Sequence, residues 1–369
     1  MLVLPAQDHS GGANIEARQL RDAIELKARE LGFDWFGVAA AEALGAERKR
    51  LEEWLAAGRH GDMKWLETDP ARRSDPGLVV EGCRSVIVLG MNYLRESLPP
   101  PESAGALPPA GLGRVSKYAR TRDYHRVIEK RLRKLAAFID GLDPTANSRS
   151  YVDYGPVMER PWAERGGIGF AGKHTLLINP AEGSFHFLGA VLTTAEVAAD
   201  APRAMPGCGN CRRCIDACPT GAITEPWKLD ATRCLSYLTI EKQGPVDEEF
   251  WPNYRGLLFG CDICQDVCPY NQSRARPVAE SALGDAVVAP TLSLATLIKD
   301  ADGFLAGLGE TSSPLRRAGA DSLTRNAIIV ASTNANDETR AALETLAEEE
   351  ARPEWLRELA RRVLAMQGA

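Results

Sequence analysis

Apolar residues return with helical spacing over positions 15–31, and Gly32 stands where a helix C-cap belongs. Positions 33–40 then read as a strand and 44–57 as a second helix. Positions 85–94 (SVIVLGMNYL) are apolar and β-branched without alternation, the pattern of a strand covered on both faces. Pro, Gly and Ala crowd 98–113, which predicts a loop. A long amphipathic helix rich in Lys and Arg follows at 123–142. A short strand at 150–153 ends in the turn Tyr154-Gly155-Pro156, a helical stretch covers 158–165, and strands return at 175–178 and 185–193. This alternation predicts an α/β (or α+β) domain over residues 1–200. Residues 201–282 are cysteine-rich and Pro-punctuated, with few long periodic segments. From 283 to 369 the pattern is helical. Amphipathic stretches at 322–332, 338–348 and 354–366 predict two or three antiparallel helices of repeat type.

A length of 369 residues suits two or three domains, and 44 % hydrophobic content supports a sizeable core. No apolar run approaches the roughly 18 residues of a membrane span. The opening MLVLPAQDHSGG lacks a basic start and a long apolar stretch, so it does not read as a signal peptide. The expectation is a cytoplasmic protein. A net charge of −6 argues against a generally basic nucleic-acid-coating protein and leaves room for a local basic patch.

Cysteine changes the picture most. Eight of the nine lie between Cys208 and Cys268, and only Cys83 stands apart. A secreted protein would spread paired cysteines through its fold, so this crowding points to metal rather than disulfides. The first run is Cys208-x2-Cys211-x2-Cys214-x3-Cys218-Pro219, and the second is Cys261-x2-Cys264-x3-Cys268-Pro269, with Cys234 between. The first is the bacterial ferredoxin run, whose fourth Cys serves the other cluster. Cluster one then takes Cys208, Cys211, Cys214 and Cys268. Cluster two takes Cys218, Cys261, Cys264 and Cys234, the last replacing the missing first Cys of the second run. Zinc prefers separated Cys pairs and suits successive x2 spacings poorly. Cys83 is expected as a small buried hydrophobe beside a strand.

Several other patterns weigh less. Gly167-Ile168-Gly169-Phe170-Ala171-Gly172 fits G-x-G-x-x-G, but a helix precedes it and a strand follows, the reverse of a nucleotide loop. Its glycines suggest close backbone approach to something large and flat. Asp123-Tyr124-His125 lacks the later Gly of a cobalt-ligating Asp-x-His-x-x-Gly, and His125 reads as a solvated or capping residue. Asp153 reads as an Asx-turn residue, though an acid at a strand end is also where α/β catalytic groups sit. Arg114, Lys117, Arg120, Arg122, Arg126, Lys130, Arg131, Arg133 and Lys134 form a basic stretch, either a solvated face or a phosphate-binding one.

Taken in order, these segments resemble the epoxyqueuosine reductase family, from about Gly32 onward. The resemblance is carried by Arg73-Ser-Asp-Pro, Ser85 to Leu94 ending Asn-Tyr-Leu, Arg122-Asp-Tyr-His and Val152-Asp-Tyr-Gly-Pro. Glu164-Arg-Gly-Gly-Ile-Gly-Phe-Ala-Gly-Lys173, both cysteine runs, Cys234-Leu-Ser-Tyr-Leu-Thr-Ile-Glu241 and Gly260 to Asn271 continue it. The tail's Ser313-Pro-Leu-Arg-Arg and Leu323-Thr-Arg-Asn-Ala resemble that family's HEAT-type repeat. His174 departs from an expected Asn, and Tyr154 from a small Thr.

The resemblance implies a base-off cobalamin held between a cobalamin-binding α/β domain (1–200) and a ferredoxin-like two-cluster domain (201–282), with a HEAT-like helical domain at 283–369. It implies reduction of the epoxide of epoxyqueuosine to queuosine at the tRNA wobble base, using cob(I)alamin reduced through the clusters. Asp153 would protonate the ring oxygen, which requires a carboxyl raised by burial. Cobalamin contacts carried over are Arg73, Asp153, Lys173, Ser236, Cys261 and Asp262. Lys242 and the tail arginines Arg316, Arg317 and Arg325 would meet the tRNA anticodon loop. An external low-potential electron donor, a monomer and no membrane complete the expectation. A reductive dehalogenase shares the cofactor design but usually carries an export signal and lacks such a tail. A plain electron carrier would leave some 200 N-terminal residues unexplained, and a noncatalytic tRNA-binding protein is the remaining class.

Overall fold

The computed structural model describes residues 10–201, 203–278, 283–309 and 313–368. Most of the opening stretch read for a leader, and the expected boundary at 282, lie outside the described residues. Four strands form the central sheet in the order Trp35–Ala40, Ser85–Asn92, His186–Thr193, Ser148–Tyr151. Every neighbouring pair is antiparallel. Asp153 therefore follows an edge strand of an antiparallel sheet, and the parallel-sheet rule for catalytic acids does not apply to it.

The unbroken apolar run in Ser85–Asn92 has the reason the pattern suggested. Successive side chains point to opposite faces. Ile87, Leu89 and Met91 pack with Ile24 and Ala28 of helix Ser10–Glu30 and with Ile128, Leu132, Leu135 and Ile139 of helix Tyr124–Leu142. Val86 and Val88 pack the other face with Leu44 and with Trp162 and Ala163 of helix Glu159–Arg165. Helices thus cover both sides of the sheet. Each such side chain contributes about 1.5–3 kcal/mol on burial. Asp123 caps the Tyr124–Leu142 helix by accepting from the His125 amide.

A second sheet ties the chain together. Strand Leu112–Val115 lies between Leu257–Phe259, which is parallel to it, and Thr291–Ser293, which is antiparallel. The start of this strand falls in the stretch read as loop, because pairing with distant segments overrides its local Gly content. Val115 and Ala119 then join one core with Leu235, Leu258 and Phe259 and with the tail helices. Among the described residues the tail has four α-helices: Leu294–Gly307, Gly319–Asn334, Asp337–Glu348 and Glu354–Gly368. Between, short helices at Arg213–Asp216, Leu235–Ile240, Ile263–Asp266 and Pro269–Arg274 each contain or directly follow a cysteine. Among the described residues no helix is long and apolar enough to cross a membrane.

Candidate functional site

The thiols fall into two sets. Burial pushes Cys214 up to about 11, and the next contributions come from Cys208, Cys268 and Cys211. Burial also raises Cys264 well above the ordinary thiol range, followed by Cys261, Cys234, Cys214 and Cys218. Each set is the one the spacing assigns to a cluster, and Cys264 sensing Cys214 places the sets side by side. Cys83 lies apart, half-buried, pushed up to about 11 by burial, with its thiol donating to the Ser85 carbonyl.

Asp153 stands at φ 55°, with its side chain 63 % exposed. Its Oδ2 accepts from Tyr124 Oη at 2.7 Å and contacts His125 Nε2 at 3.1 Å. Asp123 Oδ1 holds the other ring nitrogen of His125 at 2.7 Å. The His125 ring stacks on Tyr124, centroids 4.0 Å apart, and on Tyr154 at 5.7 Å. Burial works against charge on His125, yet its hydrogen bonds to Asp123 and Asp153 prevail and push it up to about 9. Desolvation pushes the Asp153 carboxyl up, but the bonds from His125 and Tyr124 outweigh it and hold it below its usual range. The expectation of a neutral Asp153 is thus corrected for the free chain: a carboxylate faces an imidazolium. Glu159 Oε1 accepts from the Asp153 amide at 2.9 Å. Burial, then the Asp153 charge, raises Glu159 to about 7.

Spacing does not reveal this group. His125 and Tyr124 lie some thirty residues from Asp153 along the chain, and the helix cap at Asp123 was the one local signal of their placement.

The remaining carried-over residues take varied positions. Arg73 donates to the carbonyls of Trp65 (2.8 Å) and Gly155 (3.5 Å), which joins it to the Asp153 turn. Lys173 is buried, and its Nζ donates to the carbonyls of Gly209 (2.7 Å) and Cys211 (2.9 Å). It therefore clamps the cluster-one loop. Ser236 lies in helix Leu235–Ile240, next to the segment that follows Cys234. Asp262 is buried, and its Oδ2 accepts from the Lys117 amide at 2.8 Å.

Lys117 also meets Asp266 at 2.7 Å and Asp262 at 3.6 Å, so it is an interior counter-ion and not part of a phosphate face. Arg114 donates to the Arg255 carbonyl and Arg120 pairs with Glu96, which leaves Arg122, Arg126, Lys130, Arg133 and Lys134 exposed on the basic stretch.

Arg325 is corrected as a tRNA contact. It is fully buried, donating to the carbonyls of Leu238, Lys242 and Gly244, and no phosphate reaches it. Arg316 is exposed and donates to the Leu305 and Gly309 carbonyls. Arg317 pairs with Glu241 at 3.0 Å, lies 4.8 Å over the Trp65 ring, and feels the Asp153 charge. Lys242 pairs with Asp62 at 3.2 Å. Arg317, Glu241 and Asp153 thus meet at one rim. Within the Gly167–Gly172 run, Gly169 approaches its own chain closely: a Cβ there would lie 2.3 Å from the Ile178 carbonyl oxygen.

A family model for a 4Fe-4S double cluster binding domain matches residues 207–271. A model described as epoxyqueuosine reductase QueG, DUF1730 matches residues 73–154. The epoxyqueuosine reductase of Gloeobacter violaceus is 41 % identical over 309 residues, 82 % of this chain and 93 % of that relative. The chain belongs to the epoxyqueuosine reductase family. The family member of Escherichia coli is 40 % identical, over 70 % of this chain and 67 % of its own. An epoxyqueuosine reductase crystallised with a tRNA-Tyr epoxyqueuosine-modified stem loop superposes with TM-score 0.84 at 27 % identity, covering 95 % of this chain and 91 % of that one. The Bacillus subtilis enzyme, solved with its catalytic Asp loop swung out of the active site, gives 0.83 at 26 % identity, covering 94 % and 90 %.

Proposed function

We propose that this chain reduces the epoxide of epoxyqueuosine to queuosine in the anticodon loop of tRNA, with two [4Fe–4S] clusters and cobalamin. The observation that carries the reading is Asp153: an exposed carboxylate, hydrogen-bonded to a charged His125, on the rim shared with Arg317 and Glu241. The residues fit both cofactors. Eight thiols in two sets supply the donors of two clusters. For cobalamin, Arg73 Nε is buried without a partner. Trp65, Tyr154 and Trp227 are exposed aromatics attached to the surroundings of Arg73 and Lys173. A large flat ring would cover such surface. Arg73, Lys173, Ser236, Cys261 and Asp262 would hold it, and when bound it supplies the reducing equivalents for the epoxide carbon.

The chain's own residues manage the proton. An alkoxide leaves poorly, so the epoxide oxygen must be protonated as its C–O bond breaks. In the free site that proton resides on His125. Asp153 receives it at Oδ2 and passes it to the substrate oxygen, while Tyr124 holds the carboxylate in place. Glu159 holds the turn from behind through the Asp153 amide. Lys242 and Arg317 contact the RNA, exchanging their present carboxylate partners for phosphate.

Anaerobic reconstitution with iron, sulfide and cobalamin, then reduction in the presence of epoxyqueuosine-containing tRNA, tests the reading. Digested nucleosides should lose one oxygen, dependent on cobalamin. No conversion with both cofactors bound and reducible would reject it. The Asp153→Asn variant should bind both cofactors and lose about 10²–10⁴-fold in turnover.

A further inference from the structure

The fold covers the two clusters unequally. The residues beside Cys261 and Cys264 (Asp262, Ile263, Gln265 and Asp266) are buried, as are Leu235, Tyr237 and Leu238 after Cys234. Around Cys208 and Cys211 the chain is open: Gly209, Asn210, Arg212 and Arg213 are exposed. A Cβ on Gly207 or Gly209 would meet nothing within 4 Å. The same loop is held firmly from behind. Lys173 Nζ binds the Gly209 and Cys211 carbonyls, and Tyr270 Oη donates to the Gly207 carbonyl at 2.8 Å. A ligand loop that is rigid and faces solvent suits electron entry. Cluster two, beside the Glu241–Arg317 rim, is then the interior one.

Charge marks the same face. Arg212 and Arg213 are exposed in this loop and Arg203 four residues before it, against the exposed acids Glu102 and Asp216 that line a hollow with Arg213, in a chain of net charge −6. Arg212 has a 3.5 Å pair with Asp216, both side chains about three-fifths exposed (60 % and 63 %), a weak and salt-screened contact. Neither Arg203 nor Arg213 forms an ion pair among the described residues. A positive face over a solvent-facing redox loop attracts a negatively charged partner and speeds encounter.

We propose that the loop at residues 207–213, flanked by Arg203, Arg212 and Arg213, is the docking site of an acidic one-electron carrier protein. The proposal rests on the two-cluster reading above. Each encounter oxidises the carrier by one electron and reduces cluster one by one. Two encounters supply the two electrons that, with two protons, turn the epoxide into an alkene and water. The residues assigned to RNA, Lys242 and Arg317, pair with Asp62 and Glu241 and belong to the Asp153 rim rather than to this loop.

The test is stopped-flow reduction of the anaerobic holoenzyme by a prereduced acidic plant-type [2Fe–2S] ferredoxin, against a zwitterionic viologen of no net charge. In Arg212→Glu/Arg213→Glu the ferredoxin rate constant at low salt should fall at least tenfold and lose most of its salt dependence. Viologen reduction, iron content and tRNA stem-loop affinity should stay as in the unaltered enzyme. Arg203→Glu, outside the cysteine run, should act in the same direction if the double variant loses iron. Ferredoxin kinetics unaffected by all three changes would overturn the proposal. So would a fall in tRNA affinity with donor kinetics intact, which would make the face an RNA surface. Failure of viologen to reduce the unaltered enzyme would instead count against the two-cluster reading.

Discussion

At the residue scale the informative groups are those whose charge the fold determines. His125 sits at about 9 against an ordinary value near 6.5, so its stabilising interaction is charged and favours the low-pH side. That contribution is complete below about pH 6.5, declines between 6.5 and 9, and is gone above. Denaturant unfolding of His125→Gln should therefore show a deficit at pH 6 that closes by pH 9.5; a deficit constant with pH would remove the imidazolium from the account. Lys117 offers a second case. Replacing it with Met leaves Asp262 and Asp266 buried without their cation, and should cost about 3–5 kcal/mol in urea unfolding of the holoenzyme. Little of this was legible. The sequence shows Lys117 in a basic stretch, and only packing shows that two acids from the second cysteine run turn it inward.

Elements were read better than residues. The strand at 85–94, the helix at 123–142 and the three tail helices appear close to where periodicity puts them, since each buries a continuous apolar stripe. Strand Leu112–Val115 was missed because its partners lie at 257–259 and 291–293, beyond any local signal. Arg325 shows what an element can hide. On helix Gly319–Asn334 it looks like a surface cation, yet it pins the carbonyls of Leu238, Lys242 and Gly244. Arg325→Ala should lower the melting temperature by several degrees, about 1–3 kcal/mol for each carbonyl left unsatisfied, with a cavity added. The salt slope of tRNA binding should not change, whereas Arg317→Ala should reduce it by about one. A reduced slope in Arg325→Ala would restore it as a phosphate contact.

Across the whole molecule, separate segments serve one site. The Asp153 turn, the tail's Arg317 and Glu241 of the cluster segment meet at a single rim, so the tail is part of the site's frame. Because the net charge is −6, tRNA affinity should depend on these local cations and fall steeply between 50 and 200 mM salt, measured by filter binding or fluorescence anisotropy. The sequence by itself determined the double-cluster motif and the family, because cysteine spacing and motif order are local properties that survive without coordinates. It also determined the main helices and strands, through the period of their apolar positions. Only the tertiary structure decided the antiparallel pairing, the inward turn of Lys117 and Arg325, and the charge states of Asp153 and His125. Those depend on which distant groups come within a few ångströms of one another, and Coulomb energy and burial act over that distance rather than along the chain.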